Sequence, residues 1–360
     1  MQAKKIVEME AINPANIQRF SSMVEHASRI AIVTHTKPDG DAIGSSAAMY
    51  HFLKHAGKHD VILVLPDPYP STLSFLTEGI PPKDILIFSS EPVEASSGIA
   101  SRDMIICLDF NSFSRAGEMN GILTASQAVK VLIDHHLNPK TEDFSLVFSE
   151  TEISSASEFL YHILMEMPQI SHKVSRIPRA AAEALMTGMT TDTNNFANST
   201  YPSTLRMAAD LIESGVDRDR IVDRVNCSYC ENRIRLLGYV LKDNMRITED
   251  GVAYIVLDRD MLEKYEVKDG DTEGFVNMPL SIGDIKMSIL AKEDMDFMRI
   301  SVRSKKGISA NRMATRYFHG GGHENAAGGR LYIPQDISSA EECAEYIRTV
   351  IREYFNESNE

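Results

Sequence analysis

Three apolar runs in this chain, RIAIV, MIICL and KVLI, are each followed at once by acids or imidazoles. His35, Asp39 and Asp41 come after the first, Asp109 after the second, and Asp134, His135 and His136 after the third. Short apolar runs without polar alternation read as strands buried on both faces, the pattern of a parallel sheet covered by helices. Open parallel sheets bind ligands in the crevice beyond the carboxyl ends of their strands, so polar groups at those ends mark an expected site. A fourth acidic position, Asp192 in MTGMTTDTNNF, ends an apolar helix instead of a strand.

The rest of the pattern fits this frame. VILVLP and DILIF add strands, a helix is expected from about Ile43 to His55, and helical periodicity dominates from about Ser154 to Tyr239. The tail offers VAYIVL, IKMSILA and FMRISVRS as strands, then ANRMATRYF and SAEECAEYIRTVIREYF as helices. The fold class expected is α/β: a mostly parallel sheet domain over 1–199, a helical connector over 200–243, and a smaller α/β domain over 244–360. With 360 residues and 43% hydrophobic content the chain is long enough for two cores. No apolar run of about 20 residues suggests a membrane span, and MQAKKIVEMEAINPA lacks the apolar stretch of a signal peptide. Four scattered cysteines fit a reducing compartment, so a cytoplasmic location is expected.

One aspartate at a strand exit is ordinarily a turn or helix cap, and Asp39 with Gly40 would pass for one. Four carboxylates and three imidazoles converging by the same topological rule are different. Acids that close repel and raise one another's pKa, and a bound cation is the usual resolution. Aspartate and histidine without cysteine indicate a borderline-hard divalent ion, manganese, magnesium or zinc. Enough acids for two ions, one of them bridging, suggest the dinuclear centre used in phosphoryl transfer, with metals about 3.5–4 Å apart. Gly40 is expected to let the backbone turn tightly between Asp39 and Asp41. Asp134 is expected to orient His135, since a ligating imidazole usually donates its other N–H to a carboxylate.

The stretches THTKPDGDAIGSS, LDFNSFSR, DHH and TTDTNNF resemble the motifs of the DHH phosphoesterase superfamily, and HGGGHENAAGG resembles the glycine-rich signature of its DHH-associated C-terminal domain. The motifs run in family order from residue 35 to residue 329, nearly the whole chain. The resemblance implies two manganese ions, with magnesium or another divalent metal as a substitute. His35, Asp39 and Asp109 would hold one ion; Asp41, Asp109, His135 and Asp192 would hold the other, with Asp109 as the bridge. His136 would contact the scissile phosphate and could protonate the leaving oxygen, a role open to an imidazole. The family comparison reaches furthest toward bacterial enzymes that degrade very short RNA and also dephosphorylate adenosine 3',5'-bisphosphate, a group often labelled exopolyphosphatase-related.

The net charge of −14 argues against a protein that coats duplex DNA. Between Arg299 and Arg330, however, seven basic residues meet one acid, Glu324, which points to a small anionic ligand held locally. The glycines Gly320, Gly321 and Gly322 expose backbone N–H groups to an anion. With Arg303 and His323 they are expected to grip a terminal phosphate, Arg through its bidentate fork. Lys305 and Lys306 read as solvated side chains. A metal centre in one domain and a phosphate grip in the other imply a ruler that favours short single-stranded RNA or small nucleotides such as pApA. A homodimer is plausible from the family, though no stretch specifies an interface. The alternatives are a cyclic dinucleotide phosphodiesterase, a pyrophosphatase or exopolyphosphatase, and a nucleotide sensor that binds without cutting, against which the full ligand set weighs. CSYC at 227–230 and the recurring His51, His55 and His59 are read as structural.

Overall fold

The computed structural model describes residues 11–226, 230–268 and 270–356. The first ten residues of MQAKKIVEMEAINPA and Cys227 of the CSYC pair lie outside them. The chain divides into two compact units, 1–228 and 229–360. No helix among the described residues is long and apolar enough to cross a membrane.

The first unit contains strands β1 (Arg29–Val33), β2 (Asp60–Leu65), β3 (Ile85–Ile87), β4 (Met104–Leu108), β5 (Val129–Asp134) and β6 (Leu146–Ser149). They form one sheet in the order β3-β2-β1-β4-β5-β6, with every pairing parallel. Its helices are α1 (Pro14–His26), α2 (Gly40–His55), α3 (Pro92–Ala100), α4 (Asn120–Ala125), α5 (Ala156–Glu166), α6 (Arg179–Asp192), α7 (Pro202–Glu213) and α8 (Arg218–Asn226). Strand residues alternate between two cores. Ile30, Ile32, Leu63, Ile106, Leu108, Val131 and Ile133 pack with α1, α2, α5, α6 and α7, while Ala31, Val33, Val64, Ile105, Cys107 and Leu132 pack with α3 and α4. Burial on both faces is why these strands lack a polar alternation. β6, the edge strand with every second residue only half-buried, was not expected from the sequence.

Strand order reverses at β1, whose neighbours are β2 on one side and β4 on the other. Connections leaving the two strands diverge there and leave a crevice at their carboxyl ends. Thr34 Oγ1 donates to Leu108 O at 3.0 Å and Thr36 N to Arg115 O at 2.8 Å, tying the chain beyond β1 to that beyond β4.

The second unit carries α9 (Glu231–Tyr239), β7 (Arg246–Ile247), β8 (Val252–Leu257), α10 (Arg259–Lys264), β9 (Met287–Glu293), β10 (Phe297–Ser304), α11 (Ala310–Tyr317), β11 (Gly321–His323), β12 (Ala326–Tyr332) and α12 (Cys343–Asn356). Its sheet is mixed, ordered β11-β12-β10-β9-β8-β7, with only β8 and β9 parallel. One face packs on α11 and α12 through Met298, Ile300, Val302, Met313 and Ile347. The other packs on α9 through Ile255, Leu257, Leu290 and Leu236. Of the helices over 200–243, α7 and α8 supply Met207, Leu211 and Ile221 to the first unit's core, and α9 belongs to the second. The glycine-rich stretch HGGGHENAAGG holds a hairpin of β11 and β12, paired from Gly321↔Gly328 to His323↔Ala326.

Candidate metal centre

The site is assembled from chain that leaves β1, β4 and β5 and from the end of α6. Asp39 is the N-cap of α2, its Oδ1 accepting from Asp41 N at 3.0 Å and Ala42 N at 3.1 Å. Capping and a place among the clustered acids are thus compatible roles for one carboxylate. Gly40 is the first residue of α2 and its φ is not left-handed, so it does not serve a tight turn. It is glycine for space: a Cβ there would lie 2.4 Å from Thr191 Oγ1 on α6. Asp41, one residue further, is 1% exposed and accepts from Ala156 N at 2.6 Å and Ser157 N at 2.9 Å, the first amides of α5. A helix N-terminus is a natural seat for a carboxylate.

Helices α2 and α6 approach closely because a Cβ on Gly44 would meet Ala184 O at 2.7 Å and one on Gly188 would meet Asp41 Oδ1 at 2.8 Å. α2 begins at the crevice and α6 ends there, so this contact brings Asp41 and Asp192 to one place. Asp109 follows β4 directly, is 2% exposed, and holds φ at 63°, a left-handed conformation that costs a non-glycine residue energy.

Distances then define the cluster. Asp109 Oδ2 lies 3.4 Å from His35 Nε2, and Asp109 Oδ1 lies 3.3 Å from His135 Nε2. His135 Nε2 is also 3.6 Å from Asp192 Oδ2. Ligand-capable atoms of His35, Asp39 and Asp109 fall within 4.8 Å of one another, as do those of Asp41, His135 and Asp192. A third such group is Asp109, His135 and His136. Asp134 differs from its expected role. It is fully buried and accepts from His136, not His135: Oδ1 from Nδ1 at 2.8 Å and Oδ2 from the backbone N at 3.2 Å. The reason is local geometry, because a carboxylate on the last residue of β5 faces the amide and ring two residues on.

Protonation follows from burial and crowding. Burial disfavours charge on His35, yet its hydrogen bond to Asp109 and the charges of Asp109 and Asp39 raise it to about 9. His135 is pushed against its own burial to about 10 by the hydrogen bond and charge of Asp109 and by Asp192 and Asp41. The same two imidazoles hold the Asp109 carboxyl far below the usual range despite its burial. Burial and the Asp109 charge push Asp41 up to about 7, and burial with the Asp41 charge raises Asp192 well above an ordinary aspartate. Without a metal, protons on His35 and His135 supply the positive charge these acids need.

That donor set fits divalent metal. The ligand atoms are carboxylate oxygen and imidazole nitrogen without thiolate, and Asp109 Oδ1 is buried with no hydrogen bond of ordinary geometry. His35 Nδ1 is 2.8 Å from Thr36 O, an outer contact that leaves Nε2 toward Asp109.

In the second unit, Arg303 lies on β10, half-buried, donating through Nη1 to Val302 O at 3.0 Å and Ala327 O at 3.3 Å. Gly321, Gly322 and His323 form β11, the exposed edge strand of the sheet. Gly322 has φ 146° and a Cβ there would meet Ala326 O at 2.6 Å, so only glycine fits. Several other cations of the 299–330 window have internal partners. Arg299 pairs with Asp294 at 2.7 Å, Lys305 Nζ donates to Ile282 O and Gly283 O at 2.9 Å each, and Arg312 and Arg330 stack on Tyr354 and Phe297.

Sequence reasoning missed Glu158, buried beside Asp41's helix seat. Its signal was available in S-x-x-E, Ser155 to Glu158, a capping-box pattern; Ser155 caps α5 by accepting from Glu158 N at 3.0 Å.

A doubly covered parallel sheet with acids and imidazoles crowded at its switch point is an architecture that could hold divalent metal for hydrolysis. The match to known proteins is specific: residues 29–189 match the N-terminal domain of the DHH family and residues 249–357 match the DHHA1 domain. The chain belongs to the DHH family of phosphoesterases, and is a hydrolase acting on ester bonds. It is 30% identical over 312 residues to the bifunctional oligoribonuclease and PAP phosphatase NrnA of Thermus thermophilus, covering 84% of each chain. The protein of the same description from Bacillus subtilis is 27% identical, over 84% of this chain and 89% of the relative. A crystal structure of an exopolyphosphatase-related protein from Bacteroides fragilis superposes with a TM-score of 0.87 and 36% identity, over 97% of this chain and 98% of that one.

Proposed function

We propose that this protein is a manganese-dependent phosphoesterase that hydrolyses short 5'-phosphorylated oligoribonucleotides, linear dinucleotides such as pApA, and adenosine 3',5'-bisphosphate. The observation that carries this reading is the convergence of His35, Asp39, Asp109, Asp41, His135 and Asp192 into two adjoining groups of metal-ligand geometry. The relatives named for oligoribonuclease and PAP phosphatase activity supply the substrate class. His35, Asp39 and Asp109 would hold one ion, and Asp41, His135 and Asp192, with Asp109 shared, the other. Bound there, divalent ions lower the pKa of water and offset charge on phosphoryl oxygens.

The chain's own groups do the rest. Asp134 accepts from His136 Nδ1, which fixes the tautomer and makes Nε2 the atom that carries proton transfer toward substrate. Asp109, shared between the two groups, keeps its charge at every physiological pH because its neighbours hold its pKa down. Arg303 and the Gly321–His323 edge are proposed to bind a terminal phosphate of the substrate, Arg303 by its planar fork and β11 by outward backbone groups.

The test is a manganese-supplemented assay of the whole chain against pApA, a 5'-phosphorylated RNA pentamer, adenosine 3',5'-bisphosphate, cyclic di-AMP, pyrophosphate and polyphosphate, with Asp109→Ala as control. Mononucleotide release from the short RNAs is expected, lost in the variant. Activity confined to pyrophosphate or polyphosphate would overturn the substrate assignment and keep the metal site. Tight nucleotide binding by an inactive wild type would replace the enzyme with a sensor.

A further inference from the structure

Glu158, on α5, is completely buried, and a buried carboxylate persists only where hydrogen bonds replace water. Its partners come from two segments. From the approach to α5, Ser154 donates through its backbone N at 3.1 Å and through its hydroxyl. From the first turn of α7, Thr204 Oγ1 donates at 2.6 Å, and the same hydroxyl accepts from Tyr201 N at 3.0 Å. His162, one turn on along α5, sets Nε2 3.6 Å from the other carboxylate oxygen. Burial would raise the pKa of Glu158, but the nearby His162 imidazole and the hydrogen bonds from Ser154 and Thr204 outweigh it and lower it below the ordinary value.

Both segments end at the metal centre. Ala156 N and Ser157 N, immediately after Ser154 and the cap Ser155, are the amides that grip Asp41. Upstream of Thr204 the chain runs back to Asp192 through Asn194, Asn195, Phe196 and Ser199, four non-glycine residues with φ between 43° and 69°. Such backbone holds its shape only when anchored at both ends. One end is α6, which ends on Asp192; the other is Thr204 on Glu158.

We propose that Glu158 is a positioning residue for the Asp41, His135 and Asp192 group: its carboxylate ties the turn that grips Asp41 to the turn that closes the loop behind Asp192. The inference rests on the metal reading given above. Glu158 touches neither ligand. Its influence is confined to two of the three members of that group and does not reach His35 or Asp39.

The experiment titrates metal-free full-length protein with manganese, following free ion by electron paramagnetic resonance. Wild type is expected to fill two sites. Glu158→Met, similar in length but with no oxygen to accept from Ser154 or Thr204, is expected to weaken one site by about tenfold or more, the scale for outer contacts of metal ligands. The weakened site should be the one weakened by Asp41→Asn and spared by Asp39→Asn. Tyr161→Phe is the structural control, since Tyr161 OH donates to Asp210 Oδ2 at 2.8 Å and links the same two helices. It should lower thermal stability and leave both sites intact.

Two intact sites in folded Glu158→Met overturn the proposal, as does the same selective weakening in Tyr161→Phe. Should Glu158→Met not fold, Thr204→Val decides: selective weakening of that site supports positioning, and unchanged titration overturns it. Fewer than two sites in wild type would instead sink the metal reading.

Discussion

Asp109 combines three costs in one residue: it is buried, charged and left-handed in backbone conformation. Such a combination persists when the group answers to several partners at once, here His35 and His135 and, on the proposed function, both ion positions. Asp109→Asn keeps the side-chain shape and a residue tolerant of positive φ, so it should fold, yet lose affinity at both manganese sites by at least ~100-fold. Retention of either site in a manganese titration would contradict the shared role. Asp134→Asn tests the neighbouring pair. It leaves one acceptor oxygen for two donors, the His136 ring and the His136 backbone N–H, so the tautomer is no longer fixed and kcat should fall by about 10²–10⁴ while manganese titration stays as in wild type. The charge on the ligand groups sets a third expectation. Metal ligands bind deprotonated, and without metal His35 and His135 titrate at about 9 and 10, so near neutral pH both carry protons. Manganese must displace those protons, hence affinity should fall as pH falls. Calorimetry in buffers of different ionisation enthalpy should show heats that depend on the buffer, and buffer-independent heats would contradict the assigned protonation.

At the scale of elements, the close approach of α2 and α6 places Asp41 beside Asp192. Gly44→Ala puts a methyl 2.7 Å from the carbonyl of Ala184, a backbone atom that cannot swing aside. Overpacking costs about 1–3 kcal/mol, against a helix-propensity gain of at most ~1 kcal/mol, so urea denaturation should show a net loss and manganese affinity should drop with it. A neutral or stabilising Gly44→Ala would mean the helices can part without consequence. These contacts explain what was legible in the chain and what was not. β1, β4 and β5 were readable because burial on both faces leaves no polar alternation, and the polar groups after them follow from strand polarity alone. β6 escaped notice as a four-residue edge strand, and β11 and β12 because Gly321, Gly322, Gly328 and Gly329 suit a turn better than a ladder. Asp134's choice of His136, and Gly40's service to Thr191, depend on side chains brought together by packing, which spacing does not encode.

For the whole molecule, charge is the property that reaches beyond the site. The chain carries a net −14, and the cations of its one basic window are partly engaged internally, Arg299 with Asp294 and Arg312 and Arg330 on aromatic rings. A polyanion approaching such a surface is repelled in proportion to the number of phosphates within about 10 Å of it, the Debye length near 0.1 M salt. A dinucleotide presents few phosphates outside its binding contacts, whereas a 20-nucleotide RNA presents many. On the proposed function, selection for short substrates would therefore have a long-range electrostatic component in addition to any set by the shape of the binding site. Two length-matched series separate them. The ratio of kcat/KM for a 5'-phosphorylated pentamer to that for a 20-mer should be largest near 20 mM salt and shrink toward roughly 200 mM, as screening removes repulsion felt mainly by the longer chain. Phosphate contacts that are gained through counterion release weaken with salt for both substrates, so only the ratio reports the surface. A ratio that stays constant with ionic strength would assign length selection to the shape of the binding site alone, and a ratio that grows would mean the longer RNA is attracted.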